Sequence, residues 1–117
     1  MRSYPSALNP DVSVVLPSGR IDALASPDLE SALNSLVSKG ARQLVLNLRE
    51  TSYISSSGLR VILIHARRLR QAGGDLKLCC LGDKVARVMQ IAGFDAVLDI
   101  LADEDLAVQA FQKPKRT

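Results

Sequence analysis

Apolar positions recur along this chain with two alternating periods, and the alternation predicts an α/β domain. Val12-Ser13-Val14-Val15-Leu16 is rich in β-branched residues and stops near Pro17 and Gly19, which predicts a strand. Ser26-Pro27 then reads as a helix start, an N-cap serine followed by proline at the first helical position, with Asp28 and Glu30 in the first turn. Leu29, Ala32, Leu33, Leu36 and Val37 follow at helical spacing, and Gly40 ends the helix. Leu44-Val45-Leu46-Asn47-Leu48 predicts a second strand, nearly all apolar, as a strand covered by helices on both faces requires. A polar loop and Ser55-Ser56-Ser57-Gly58 come next. From Leu59 the period is helical again, with Leu59, Ile62, Leu63, Ala66 and Leu69 on one face and Gly73-Gly74 as the stop. Leu76 to Leu81 predicts a third strand, and a short helix from about Asp83 buries Val85, Val88 and Met89 before Gly93. A brief strand near Val97 to Ile100 and a last helix from about Asp103, with Leu106, Ala110 and Phe111 inside, complete the set.

Strands that alternate with helices at such short spacing imply a largely parallel sheet in one domain spanning residues 1–117. The Pro-containing lead, residues 1–10, and the basic tail, residues 113–117, are expected to be less ordered. A chain of 117 residues that is 47% apolar and 23% charged can bury a core of its own. It holds no run near the roughly 18 apolar residues of a membrane span, and Met1 to Pro5 leads into no apolar signal segment. A cytoplasmic location is therefore expected. Cys79 and Cys80, adjacent within a predicted strand, should point to opposite faces and serve as small core residues in a reducing compartment. The net charge of +3 is a mild excess and aromatic residues make up only 3% of the chain, so a direct nucleic-acid partner is not expected.

Catalytic motifs are mostly absent: the chain holds no phosphate-binding loop, dinucleotide fingerprint, H-E-x-x-H or G-x-S-x-G. His65 is the only histidine. On a shared helix it would stand about 12 Å along the axis from Ser57, too far for a serine–histidine pair. The serine run is the unusual feature. It lies between a polar loop and a strongly amphipathic helix, where free N–H groups and the helix dipole favour an anion, so these serines either cap the helix or carry a modification. At about 100° per residue Ser57 lines up with Val61, Ile64 and Arg68, away from the main apolar stripe. Val61 and Ile64 then either pack beneath a neighbouring element or form an exposed docking strip, with the Ser57 hydroxyl at one end and Arg60, Arg67 and Arg68 around it.

Tyr53-Ile54-Ser55-Ser56-Ser57-Gly58-Leu59-Arg60 resembles the phosphorylation motif of STAS-domain anti-sigma factor antagonists, commonly D-S-S-G-L or I-S-S-x-G-L. Gly19-Arg20-Ile21-Asp22 resembles the family's G-x-[IL]-D, and Ile91-Ala92-Gly93-Phe94 its late helix-to-strand turn. The resemblance implies the STAS fold, a small, mixed, mostly parallel β-sheet with about four α-helices. It makes Ser57 the phosphoacceptor, with Ser56 as runner-up, and Asp22 a family acid in a loop beside it. The motif's leading Asp is Ser55 here.

The function implied is partner switching. The unphosphorylated chain binds an anti-sigma factor kinase through Asp22, Ser55, Ser56, Ser57, Gly58, Arg60, Val61 and Ile64, and so frees a sigma factor. Phosphorylation blocks that binding, and a PP2C-type phosphatase reverses it. The chain itself then has no catalytic residue, metal or cofactor, since ATP and magnesium belong to the kinase. Weak self-association is left open. An alternative is a STAS subunit regulating a transporter such as a lipid ABC system. A rival of another class is a small enzyme or nucleotide-binding protein using a polar pocket near Asp22 and Ser57.

Overall fold

A computed structural model describes residues 1–112. Its strands are β1 (Arg2–Pro5), β2 (Val12–Leu16), β3 (Ser18–Ile21), β4 (Gln43–Asn47), β5 (Glu50–Ile54), β6 (Asp75–Cys79) and β7 (Asp99–Leu101). The helices are α1 (Ser26–Ser38), α2 (Ser56–Gln71), α3 (Asp83–Ile91) and α4 (Glu104–Ala110), with a short 3-10 turn at Phe94–Ala96. Five strands form the main sheet in the order β1-β2-β4-β6-β7, and only β1 runs antiparallel to its neighbour. The remaining two, β3 and β5, form a separate parallel ribbon. The architecture is α/β with four helices and a mixed, mostly parallel sheet. Among the described residues no helix is long and apolar enough to cross a membrane.

Alternation along the central strands divides the interior in two. Val15, Leu44, Leu46, Leu76 and Leu78 face the larger core, where they meet Leu29 and Leu33 of α1, Leu59, Ile62 and Ala66 of α2, and Val85 and Met89 of α3. The intervening positions Val12, Val14, Val45 and Cys79 face Ala107 and Val108 of α4. Both faces are covered, as an all-apolar strand such as β4 demands. On the α4 face Lys77 is buried along its stem while its ammonium pairs with Asp99 and, at 3.4 Å, with Asp75. That ammonium also lies 4.9 Å from the centre of the Phe111 ring.

The lead differs from expectation. Residues 2–5 pair in register with residues 13–16 of β2, and Ser6 N–H donates to the Val12 carbonyl at 2.8 Å. What orders the segment is a polar anchor: the Tyr4 hydroxyl donates to Glu104 at the start of α4, and the Asn47 amide donates to the same carboxylate at 2.9 Å. The basic tail, residues 113–117, lies outside the described residues.

Burial, and then the hydrogen bond to Glu104, push the Tyr4 phenol up to about 12. The unfolded chain therefore loses this proton before the folded one does, and the stabilisation, complete below about pH 10, fades as the pH rises through about 12. In urea titrations the wild-type midpoint should fall more between about pH 9 and about pH 11.5 than that of Tyr4→Phe, which has no phenol to ionise. Equal slopes would show that Tyr4 is solvated in the folded chain.

Candidate functional site

The site is assembled by the small ribbon. Because β3 and β5 are parallel and Ile21 is the register partner of Ile54, the residues that leave the two strands, Asp22 and Ser55, emerge side by side. Ser55 N–H donates to the Ile21 carbonyl at 2.8 Å and fixes this exit. Register shifts between Gly19 and Arg20: Gly19 pairs with Thr51 and Arg20 with Tyr53, so Ser52 is an extra residue on β5. The shift places the Arg20 guanidinium 4.3 Å from the centre of the Tyr53 ring.

Ser55, Ser56 and Ser57 have three different positions. Ser55 has extended backbone and is the N-cap of α2, with its hydroxyl oxygen accepting Gly58 N–H at 3.3 Å. Ser56 is the first helical residue and is exposed. Ser57 is the second and half-buried. The capping function thus belongs to Ser55, where the related motif carries Asp; either side chain offers the oxygen that a cap requires.

At the start of α1 the expected cap, Ser26, is the first helical residue; the N-cap is Ala25, which makes no side-chain cap bond. Asp22 Oδ1 accepts from Leu24 N–H at 3.1 Å and Ala25 N–H at 3.0 Å, so the aspartate builds the turn into the helix. Ser26 lies just inside α1, and only 4% of its surface is exposed. Its Oγ is 2.7 Å from the Asp22 carbonyl, 3.1 Å from Ser57 Oγ, and Ser57 Oγ is 2.8 Å from Ser55 Oγ.

Counting protons assigns a direction to this chain of hydroxyls. A carbonyl only accepts, so Ser26 donates its single proton to Asp22 O. The Ser26–Ser57 bond must then be donated by Ser57, and the Ser55–Ser57 bond by Ser55. Ser57 Oγ gives one bond and receives one, which leaves one lone pair uncommitted at the positive end of a 16-residue helix. Sequence patterning missed Ser26 as part of this site, having given it only a capping role. The four-residue interval from Asp22, which lets Ser26 bond the Asp22 carbonyl one turn back, was the available signal.

Gly58 is required by proximity. A Cβ there would lie 2.8 Å from Ile21 Cγ2, 3.0 Å from Ile54 Cγ2 and 3.3 Å from the Ile21 carbonyl oxygen. The bare backbone of α2 rests on the ends of both ribbon strands.

The expected docking strip is not exposed as a whole. Val61 is 7% exposed and belongs to the larger core, and Ile64 is partly buried. The cause is α1, which lies alongside α2: His65, one turn beyond Val61, donates from Nδ1 to the Val61 carbonyl at 2.9 Å, and its Nε2 is 2.9 Å from Asn34 Oδ1 of α1. Val61 thus packs into the larger core, while Ile64 keeps part of its surface in water. Arg60, Arg67 and Arg68 are exposed. A different apolar residue stands free near the serines: Leu24, in the turn that Asp22 builds, is 89% exposed.

Fold and site together define an α/β domain in which paired parallel strand ends present a serine at a helix start. The chain belongs to the STAS domain family, whose pattern matches residues 5–107. It is 39% identical over 94 residues to BtrV of Bordetella bronchiseptica, covering 80% of this chain and 81% of that one. It is 34% identical over 91 residues to the anti-sigma-B factor antagonist of Bacillus subtilis, covering 78% and 83%. The crystal structure of an anti-sigma factor antagonist from Mycobacterium paratuberculosis superposes with a TM-score of 0.80 at 27% identity, covering 88% and 87%.

Two substitutions test the local construction. Gly58→Ala should gain about 1 kcal/mol of helix propensity yet lose about 1–3 kcal/mol to overpacking, so urea denaturation should report a less stable protein. Ser55→Ala should cost about 1 kcal/mol, whereas Ser55→Asp should retain most of the capping energy.

Proposed function

We propose that this chain is an anti-sigma factor antagonist whose binding to an anti-sigma factor kinase is switched by phosphorylation of Ser57. One observation carries the reading: Ser57 Oγ, half-buried at the second position of α2, is oriented by two neighbouring hydroxyls and keeps a lone pair uncommitted. The names carried by its relatives in Bacillus subtilis and Mycobacterium paratuberculosis support the same class. Ser56 is the runner-up acceptor; it is exposed but lies outside the hydroxyl chain. The kinase brings ATP and magnesium, a PP2C-type phosphatase resets the switch, and the exchange takes place in the cytoplasm.

The partner face consists of the Asp22 turn with Leu24, the exposed Ser56 and half-buried Ser57, and Arg60 on the first turn of α2. Asp22 contributes by holding the turn, since Oδ1 is engaged with two backbone amides. Leu24 contributes apolar area that the free chain leaves in water, the kind of residue that becomes a binding hot spot once a partner desolvates it.

Phosphorylation acts on this face more than on the fold. It removes the Ser57 proton and with it the bond to Ser26, a loss of about 0.5–1.5 kcal/mol. A charge of about −1.5 to −2 then sits at the positive end of α2, which returns about 0.3–1 kcal/mol. The two nearly cancel. The penalty falls on docking, where a dianion beside Leu24 must be desolvated against the partner.

A pull-down with the chain, followed by incubation with ATP and mass spectrometry of residues 55–57, identifies partner and acceptor together. Capture of a sigma-regulating kinase and phosphate on Ser57 is the expected result; capture of a transporter ATPase with no phosphate on the serine run overturns the reading. Melting the two forms should show Tm values within about 5 °C of each other, and a larger drop on phosphorylation would place the switch inside the fold. Leu24→Ala should leave Tm unchanged and weaken kinase binding about tenfold, measured by calorimetry.

A further inference from the structure

The adjacent cysteines do not occupy opposite faces. β6 ends at Cys79, and Cys80 takes φ of 65°, the one non-glycine residue with positive φ among those described. Strand alternation fails at that step, and the two sulfurs come to lie 3.0 Å apart. That is closer than the roughly 3.5–4.0 Å at which even carbon atoms rest, and about 1 Å longer than a disulfide bond. A left-handed backbone is unfavourable for an L-residue with a side chain, and such departures cluster where a side chain has a function.

The surroundings of the two thiols differ. Cys79 is fully buried against Val12, Val14, Val45, Ala107 and Val108, and burial, then its hydrogen bond with Cys80, hold its thiol well above the usual range. Cys80 is partly exposed at the strand end, just before the loop into α3. Both are free thiols, and no group of three or more His, Cys, Asp or Glu among the described residues could hold a metal ion. The pair therefore fits two-electron sulfur chemistry better than metal ligation.

We propose that Cys79 and Cys80 form a vicinal dithiol that closes to an intrachain disulfide when the chain meets a peroxide. The accessible Cys80 reacts first: it gives up its thiol proton to solvent, its thiolate sulfur attacks one peroxide oxygen, the O–O bond breaks, and the leaving hydroxide takes a proton from solvent as water, giving a sulfenic acid on Cys80. Cys79 sulfur then attacks Cys80 sulfur, the S–O bond breaks, and the departing hydroxide takes the Cys79 proton as water. Two electrons pass from the two sulfurs to one molecule of peroxide. Consecutive Cα atoms across a trans peptide are about 3.8 Å apart, below the roughly 4.4–6.8 Å of ordinary disulfides, so the ring is strained and an external thiol reopens it. The bond would fix the end of β6 on the α4 face of the sheet.

The test is treatment of the intact chain with hydrogen peroxide, followed by intact mass, thiol counting and non-reducing peptide mapping. The expected product is a monomer that has lost two hydrogens and both thiols together, and that dithiothreitol restores to the starting mass. Cys80→Ser should abolish the loss of two hydrogens, and a trivalent arsenical, which must be held by two neighbouring sulfurs, should bind the wild type and not this variant. Oxygen added to Cys80 while Cys79 keeps its thiol, or a disulfide-linked dimer, would overturn the proposal.

Discussion

The site depends on the parallel pairing of two very short strands. Ile21 and Ile54 end β3 and β5 at the same level, the Ile21 carbonyl takes the Ser55 N–H at 2.8 Å, and the backbone of Gly58 rests on both isoleucine side chains. That contact fixes where α2 begins. The start of α2 in turn fixes where Ser57 stands relative to Ser26, 31 residues earlier in the chain. If β5 slipped by one residue along β3, Ile54 would turn out of the core, and the hydroxyls would separate.

Each serine hydroxyl has only one proton, and this makes the site directional. The order Ser55 to Ser57 to Ser26 to the Asp22 carbonyl is the only one that uses every proton once and ends on a group that can only accept. The state of Ser57 is thereby tied to the turn that carries Leu24, without any long-range conformational change. Three small polar side chains link the starts of two helices. On the proposed reading, a phosphate on Ser57 would alter charge and desolvation at the surface while the core beneath kept its packing.

Much of the main architecture is legible in the sequence because the four helices and the central strands bury regular apolar patterns. β3 and β5 are not. β5 carries an extra residue at Ser52, which breaks the period-2 pattern, so Glu50 to Ile54 reads as a polar loop. β3 buries only Ile21 and contains Gly19, so no strand is legible there. β1 is an edge strand with no apolar alternation, ordered by the long-range bond between Tyr4 and Glu104. The serine run and Asp22 were visible as motif residues, whereas Ser26 and Leu24 join the site only once the Asp22 turn is built. Val61 was placed on the correct side of α2, but periodicity carries no information about α1 lying alongside. Alternation predicts opposite faces for Cys79 and Cys80, but it fails at Cys80, whose backbone turns left-handed.

On the proposed reading, one hydroxyl governs whether this face is open to its partner. Calorimetric titration of the captured kinase, without nucleotide, against the unmodified chain and against the same chain stoichiometrically phosphorylated on Ser57 tests it most directly. Tight binding by the first and a loss of at least about a hundredfold for the second, equivalent to about 2.7 kcal/mol, are expected. Equal affinity for the two forms would contradict that reading.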